Sequence, residues 1–311
     1  MSAERLSCTA FAPGSVGNVG PGLDILGLAV AGAGDEVTAE RTNGDGIVVR
    51  DAGHPDLPTN PRRNTAALAA REVLGRAGAS GVALALVVHK GLPLAGGQGG
   101  SAASAVAGAV AVNHLLGNPL DRAALFAASL EAEAAVTGRH PDNVAPSLLG
   151  GIVLVRSLEP VDLVALPVPP ELRVVLVHPD QRLRTKDARA VLPRKVFLAT
   201  ALHQAAQVAA MAAALAAEDY ALLGRALDDR IAEPARASLL PGFAAAKRAA
   251  IAAGALGASI SGSGPTAFAL ARGDASAQVV ATAMQAAYAE AGVAARVRVD
   301  QVDRLGARVL P

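Results

Sequence analysis

GLPLAGGQGGSAASAVAGAVAVNHLL, residues Gly91 to Leu116, is the stretch around which the chain is organised. Four glycines (Gly96, Gly97, Gly99 and Gly100) run directly into Ser101 and an unbroken series of small apolar residues, so a flexible loop is joined to the start of a buried helix. Glycine lets successive backbone N–H groups converge on one point. The helix start adds unpaired amides and the positive end of its dipole, which suits an anion and above all a phosphate. The same composition also fits a tight loop on a closely packed helix. The order Gly-Gln-Gly-Gly-Ser-Ala lacks the Gly-Lys-Ser/Thr ending of a P-loop and the third glycine of the dinucleotide fingerprint. Any phosphate here is therefore expected on backbone and hydroxyl groups, not on a loop lysine.

The composition narrows the partners. The chain has 311 residues, room for two domains, and is 52% hydrophobic and 18% charged. Aromatics are only 2% and Trp is absent, so the core must be built from Ala, Val and Leu, and stacking platforms for nucleic acid are not expected. The formal net charge of +1 suits a small charged metabolite better than a polyanion. Cys8 is the only cysteine, which excludes an internal disulfide framework and fits a reducing cytosol. No signal-peptide core is evident, and the apolar run Val208 to Ala217 is too short to span a bilayer. The expectation is a cytoplasmic protein with no membrane partner. Only Lys90, Lys186, Lys195 and Lys247 are lysines, so fixed cationic contacts are expected from Arg.

Taken in order, Leu6 to Ala12 reads as a strand, followed by a Gly/Pro-punctuated loop from Pro13 to Gly22 that ends at Leu23-Asp24. Further strands fit Glu36 to Arg41 and Val82 to His89, the latter delivering the chain into the glycine loop. Asn64 N-caps a helix running through Leu74, and Asp121 caps another through Glu131, Glu133 and Val136 that Gly138 stops. Arg139-His140-Pro141-Asp142-Asn143 is a polar cluster pinned by proline between two buried elements, which fits either a site or an ordinary turn. A strand from Gly151 to Val155 follows. The Pro- and Val-rich segment Leu158 to Pro170 marks a boundary, giving domains 1–160 and 161–311. Beyond it come a strand at Leu172 to His178, a polar helix start at Arg184 to Arg189, and an Ala-rich helical region from Val196 to Ala226. Glu233-Pro234-Ala235-Arg236 then precedes a helix near Pro241. A third glycine loop lies within Ala258 to Leu270, and a helix from Ala275 and a strand from Ala294 to Val299 close the chain. Strands alternating with helices in both halves indicate a mixed, α+β architecture.

Three motifs in this order are more specific than any one of them. PGSVGNVGPGLDILGL from Pro13 to Leu28, P-L-x-x-G-x-G-x-S-A-A-S from Pro93 to Ser104 and SGSGPT from Ser261 to Thr266 together resemble the GHMP kinase superfamily. The N-x-G-P-G-x-D form of the first motif, the HPDNVAP of His140 to Pro146 and the EPAR of Glu233 to Arg236 look most like the branch that acts on L-homoserine. The resemblance covers nearly the whole chain. It implies an N-terminal domain like domain 2 of ribosomal protein S5, a ferredoxin-like C-terminal domain, and an active site between them. ATP and Mg²⁺ are the cofactors it implies, and a homodimer the assembly.

By the same resemblance, Pro93, Leu94, Ala95, Gly96, Gly97, Gln98, Gly99, Gly100, Ser101, Ala102, Ala103 and Ser104 wrap the nucleotide phosphates, with Asn64 near the adenine. Ser261, Gly262, Ser263 and Gly264 would buttress that loop from the other domain. Asn18, Asp24, His140, Asn143, Arg189 and Arg236 match substrate positions, with Asp24, Asn143 and Ser101 nearest the chemistry. A substrate carboxylate calls for bidentate guanidinium, which Arg189 and Arg236 can offer. Phosphoryl transfer asks chiefly for positioning and charge stabilisation, so Asn143 can stand where mevalonate-type relatives carry an Asp base. For Mg²⁺ the hydroxyl is Ser101 and the carboxylate Glu131 or Glu133, with Glu133 preferred. The family's usual G-L-G-S-S is Gly97-Gln98-Gly99-Gly100-Ser101 here, which removes one hydroxyl and keeps the backbone donors. A mevalonate-pathway kinase and a non-catalytic binding protein on the same scaffold are the alternative readings.

Overall fold

The computed structural model describes residues 5–311. The first strand, β1 (Ser7–Val16), pairs antiparallel with the 16-residue β2 (Leu26–Arg41). The register shifts between Pro13 and Gly14, because proline has no N–H for the ladder. The strand then resumes, with Gly14, Ser15 and Val16 opposite Val30, Ala29 and Leu28. The loop expected from Pro13 therefore starts only at Gly17, and the strand expected at Glu36 begins at Leu26.

Next come β3 (Ile47–Asp51), α1 (Thr65–Arg76), β4 (Leu84–Lys90), α2 (Gly100–Leu115), α3 (Arg122–Ala134) and α4 (Pro141–Leu149). The polar cluster at Arg139 to Asn143 is thus the start of a helix, with Pro141 at its first turn, where a missing N–H costs nothing. The hairpin β5 (Ile152–Leu158) and β6 (Val161–Leu166) pairs with the opening residues of β2. The division expected after residue 160 falls inside this hairpin, because β6 supplies the ladder that β5 needs. The chain leaves the first sheet only after Leu166. It returns at the end, where β11 (Arg308–Val309) pairs with β1. The sheet order is β11-β1-β2-β4-β3, with β5 and β6 attached to β2.

The second sheet is built from β7 (Leu172–Pro179), β8 (Gly257–Ile260), β9 (Ala267–Arg272) and β10 (Ala295–Gln301), in the order β10-β7-β9-β8. Between β7 and β8 run α5 (Thr185–Ala190), α6 (Leu198–Ala217), α7 (Tyr220–Ala226), α8 (Ala232–Arg236) and α9 (Phe243–Ala252), and α10 (Asp274–Glu290) joins β9 to β10. This is the βαββαβ arrangement of a ferredoxin-like layer.

The near absence of large aromatics is met by close helix approach. A Cβ on Gly108 of α2 would sit 2.8 Å from the Ala66 carbonyl oxygen of α1, and α2 is buried on almost every side. One apolar cluster joins the two halves: Val16, Leu26 and Leu28 of the first sheet pack with Val174 and Leu176 of β7 and with Met211 and Leu215 of α6. Both walls of the cleft therefore stand on a shared core. By length and composition α6 is apolar enough to cross a membrane, and its Met211, Ala214 and Leu215 face is packed into that core. Its other side is open, with Phe197, Leu198 and Leu202 exposed at 86%, 74% and 61%.

Candidate active site

A cavity of about 370 Å³ opens between the two halves, lined from both. One wall is the glycine loop. Gly97 and Gly99 have φ of 71° and 67°, the left-handed region, and neither has room for a side chain. A Cβ on Gly97 would lie 2.6 Å from the Ser261 carbonyl oxygen, and one on Gly99 would lie 2.1 Å from Ser15 Oγ. Gly100 opens α2 without a left-handed φ, its nearest neighbour for a Cβ being Lys90 Nζ at 3.4 Å. The loop is held from both sides. The Ser15 N–H donates to the Gln98 carbonyl oxygen (3.1 Å), and Ser261 Oγ donates to the Gly97 carbonyl oxygen (2.6 Å). Thr266 Oγ1 donates to the Gly96 carbonyl oxygen.

Pro93 to Gly97, Gly99 to Ser101 and Ser104 line the cavity, as do Gly262 and Ser263. Ser261 acts from behind the loop, and four other expected residues also lie off the cavity. Ala102 and Ala103 point into the core beneath α2. The buried Gln98 side chain donates to Thr266 Oγ1 (3.2 Å) and accepts from Arg298 Nη2 (3.2 Å), tying the loop to the second sheet. A Cβ on Gly264 would face Leu240 and Ile260. Asn64 lines the cavity while its amide is engaged as the N-cap of α1, accepting from the Ala67 N–H (3.2 Å) and donating to the Pro58 carbonyl oxygen (3.1 Å).

Beneath the loop lies a network that the sequence did not reveal. Lys90 and Asp35 form a buried ion pair, and Lys90 Nζ also donates to the Gly100 carbonyl oxygen (2.9 Å) and to Ser104 Oγ (3.0 Å). Ser104 Oγ donates to Asp35 (2.6 Å), whose other oxygen accepts the N–H groups of Gly91 and Leu92. Lys90 thus reaches the loop from the preceding strand and itself lines the cavity. The available signal was a lysine closing an apolar strand in a chain that has four.

Glu133 and Ser101 sit at the same end of the cavity. Burial pushes the Glu133 carboxyl up to about 7, against the Thr137 hydrogen bond and the nearby Ser101 hydroxyl, which favour the anion. Thr137 Oγ1 donates to Oε1 (2.7 Å), and Oε2 is buried without a hydrogen-bond partner among the described residues. Glu131 is exposed and paired with Arg139. A carboxylate with one free oxygen beside a hydroxyl and a phosphate loop fits Mg²⁺, which takes few protein ligands and keeps phosphate oxygens and water.

The opposite wall carries the remaining candidates. Asn18 and Asp24 have φ of 54° and 62°, tolerated by Asn and Asp better than by most residues. Asn18 Oδ1 accepts the Asp24 N–H (2.8 Å), and its Nδ2 donates to the Gly262 carbonyl oxygen (2.9 Å). Arg189 donates from both Nη atoms to Asp24 (2.7 and 2.8 Å), a bidentate pair across the cleft that raises the Arg189 pKa. Arg236 is 3% exposed; its Nε donates to the Ala188 carbonyl oxygen (3.1 Å) and Nη1 to that of Gly262 (2.9 Å). Burial lowers its pKa, offset by Asp24. Burial likewise lowers that of His140, the residue capping α4. Asn143 Oδ1 accepts from Ser15 Oγ (3.0 Å). Asp142 and Thr185 also line the cavity and were not expected there.

The family models for the GHMP kinase N-terminal and C-terminal domains match residues 64–151 and 211–290. The chain is 40% identical to the homoserine kinase of Chloroherpeton thalassium, covering 97% of this chain and 99% of that one. It is 44% identical to the homoserine kinase of Arabidopsis thaliana, covering 98% and 85%. The crystal structure of homoserine kinase from Cytophaga hutchinsonii superposes with a TM-score of 0.95 at 40% identity, covering 100% of this chain and 99% of that one. The chain belongs to the GHMP kinase family and stands among its homoserine kinases.

Proposed function

We propose that the chain transfers the γ-phosphoryl group of ATP to the side-chain hydroxyl of L-homoserine, giving O-phospho-L-homoserine for threonine biosynthesis. The observation that carries this reading is the meeting, in one cavity, of a left-handed glycine loop that follows the first sheet with two arginines from the second half. The loop amides and the start of α2 cradle the phosphates, and Lys90 fixes the loop from below. Asn64 and its neighbours border the adenine. Ser101 and Glu133 Oε2 would hold Mg²⁺, which would offset the charge of the phosphates.

Arg236, assisted by Arg189 and His140, takes the amino-acid carboxylate, and Asn18 and Asp24 aim the hydroxyl at the γ-phosphorus. Asn143 has no basic atom, so it contributes a polar contact rather than a proton acceptor. Near-attack positioning and charge stabilisation then supply the rate. Residues 1–160 with the rest of the β5–β6 hairpin form the nucleotide half, and the ferredoxin-like layer completes the substrate site. The uncharged exposed side of α6 supports a homodimer, and the single cysteine a cytoplasmic setting. A coupled assay with ATP, Mg²⁺ and a panel of homoserine, mevalonate and galactose tests the assignment. Turnover confined to homoserine is expected, and turnover of mevalonate alone would overturn it.

A further inference from the structure

Asp142 is buried to 1% exposure at the second position of α4, yet its carboxyl borders the cavity. It lies directly against the Gly17-Asn18 peptide: Oδ2 accepts the Asn18 N–H at 2.7 Å. A Cβ on Gly17 would come within 2.6 Å of both Oδ2 and Asn143 Nδ2. The other oxygen lies 3.4 Å from Asn143 Nδ2. A chain of contacts therefore runs from Asp142 to the Asn18 backbone, through the Asn18 amide to the Asp24 N–H and the Gly262 carbonyl oxygen, and on to Arg236. Every residue assigned to the substrate hydroxyl hangs on this buried carboxyl.

We propose that Asp142 is a positioning residue of the acceptor site: its carboxylate, by accepting the Asn18 N–H, holds the 17–24 loop in the shape that binds L-homoserine, and a proton on it loosens that hold. The charged groups around it are Asp24 on the loop, Arg189 on α5, Arg236 on α8 and His140 beside it at the cap of α4. Burial and the like charge of Asp24 push the Asp142 carboxyl up to about 7, against the Asn18 hydrogen bond and Arg189, which favour the anion. The carboxylate thus switches within the physiological range. The cost falls on the fold. A carboxyl whose folded pKa is raised favours the folded state while it is protonated, and that stability is lost as the pH rises through about 7. A neutral isostere escapes this cost, as expected of a group kept for function at the expense of stability.

The inference rests on homoserine being the acceptor, and its test separates the two claims. L-homoserine binding is measured by calorimetry on the whole protein, free of nucleotide and metal, from pH 6 to 8.5; Glu133, also raised to about 7, titrates in wild type and variant alike, so the comparison of the two isolates Asp142. If only the anionic form binds, the apparent Kd weakens about tenfold from pH 8.5 to pH 6 for a group titrating at about 7. In Asp142→Asn the slope shrinks to what His140, which remains, contributes by its own titration. Thermal unfolding at pH 8 gives a second reading that needs no ligand, and Asp142→Asn should melt higher than wild type. A flat wild-type profile, an undiminished slope in the variant, or a variant that melts lower at pH 8 overturns the proposal. Absence of homoserine binding at every pH overturns the substrate assignment, while the melting comparison still decides Asp142.

Discussion

Replacing Gly99 with alanine tests the phosphate loop at its tightest point. Its φ of 67° lies where an L-residue costs about 1–2 kcal/mol. The new Cβ would enter 2.1 Å from Ser15 Oγ and 3.0 Å from Asn143 Oδ1, two atoms that are hydrogen-bonded to each other. Breaking that bond adds about 0.5–1.5 kcal/mol, so the total is roughly 1.5–3.5 kcal/mol, divided between unfolding and a displaced loop. Gly100→Ser is the internal control. It lies one residue on, without a left-handed φ, and its nearest neighbour at 3.4 Å is the flexible end of Lys90. Denaturant unfolding and MgATP affinity, measured on both variants, should show Gly99→Ala destabilised with weakened ATP binding and Gly100→Ser close to wild type in both. A Gly99→Ala protein with unchanged stability and unchanged ATP affinity would refute the argument that backbone geometry at this point makes the site.

Arg236→Lys keeps the charge but not the fork that reaches Ala188, Gly262 and the cavity. It should raise KM for homoserine about tenfold or more while KM for ATP stays near its original value. Arg189→Ala and Arg236→Ala should both shrink the preference for homoserine over its carboxyl-reduced amino diol, and an undiminished preference in both would place the carboxylate elsewhere. Glu133→Gln removes the anionic oxygen at the buried end of the cavity, so the Mg²⁺ concentration for half-maximal rate should rise by about tenfold or more, with homoserine affinity in metal-free protein unaltered. Leu202→Glu places a charge on the exposed side of α6; if that face makes the proposed homodimer, sedimentation should give a dimer for wild type and a monomer for the variant, and an unchanged mass would remove this face from the interface.

The parts of the site carried by backbone chemistry were legible in the sequence. Glycines at 97 and 99, Asn18 and Asp24 are residue types that tolerate positive φ, and the structure places all four there, at the wall of the cavity. The parts carried by burial were not legible. Asp35 and Ser104 stand 69 positions apart, with Lys90 between them, and the three become one network only when β2, β4 and α2 pack together. Asp142 read as one member of a polar cluster that fitted a site or an ordinary turn, and only its enclosure against Gly17 singles it out. Gln98 shows the reverse case: a polar residue inside the glycine loop turned away from the cavity to Thr266 and Arg298 because the second sheet lies close enough to satisfy it. The strand β6 was hidden by its valines and the neighbouring prolines, since a hairpin at a sheet margin shares the composition of a linker.

The two half-exposed members of the cleft, Asp24 and Arg189, bear on how the proposed site would take a substrate's carboxylate and hydroxyl. Their bidentate pair joins a loop of the first sheet to a helix of the second half, and its stabilising value is small because water reaches both partners. On the proposed assignment a substrate bringing its own carboxylate and hydroxyl could exchange with the pair at little cost: Arg189 would turn from one carboxylate to another, and Asp24 would be released to accept from the hydroxyl. Arg236 is the fixed partner. Buried and held by two main-chain carbonyl oxygens, it offers the same fork throughout. In the proposed site one buried guanidinium would set where the carboxylate lies and one half-exposed guanidinium would close the cleft upon it. On the proposed assignment Arg236 would select for the substrate carboxylate, and Arg189 would close over it. On this reasoning Arg189→Ala should lower kcat more than affinity, whereas Arg236→Ala should lower affinity first.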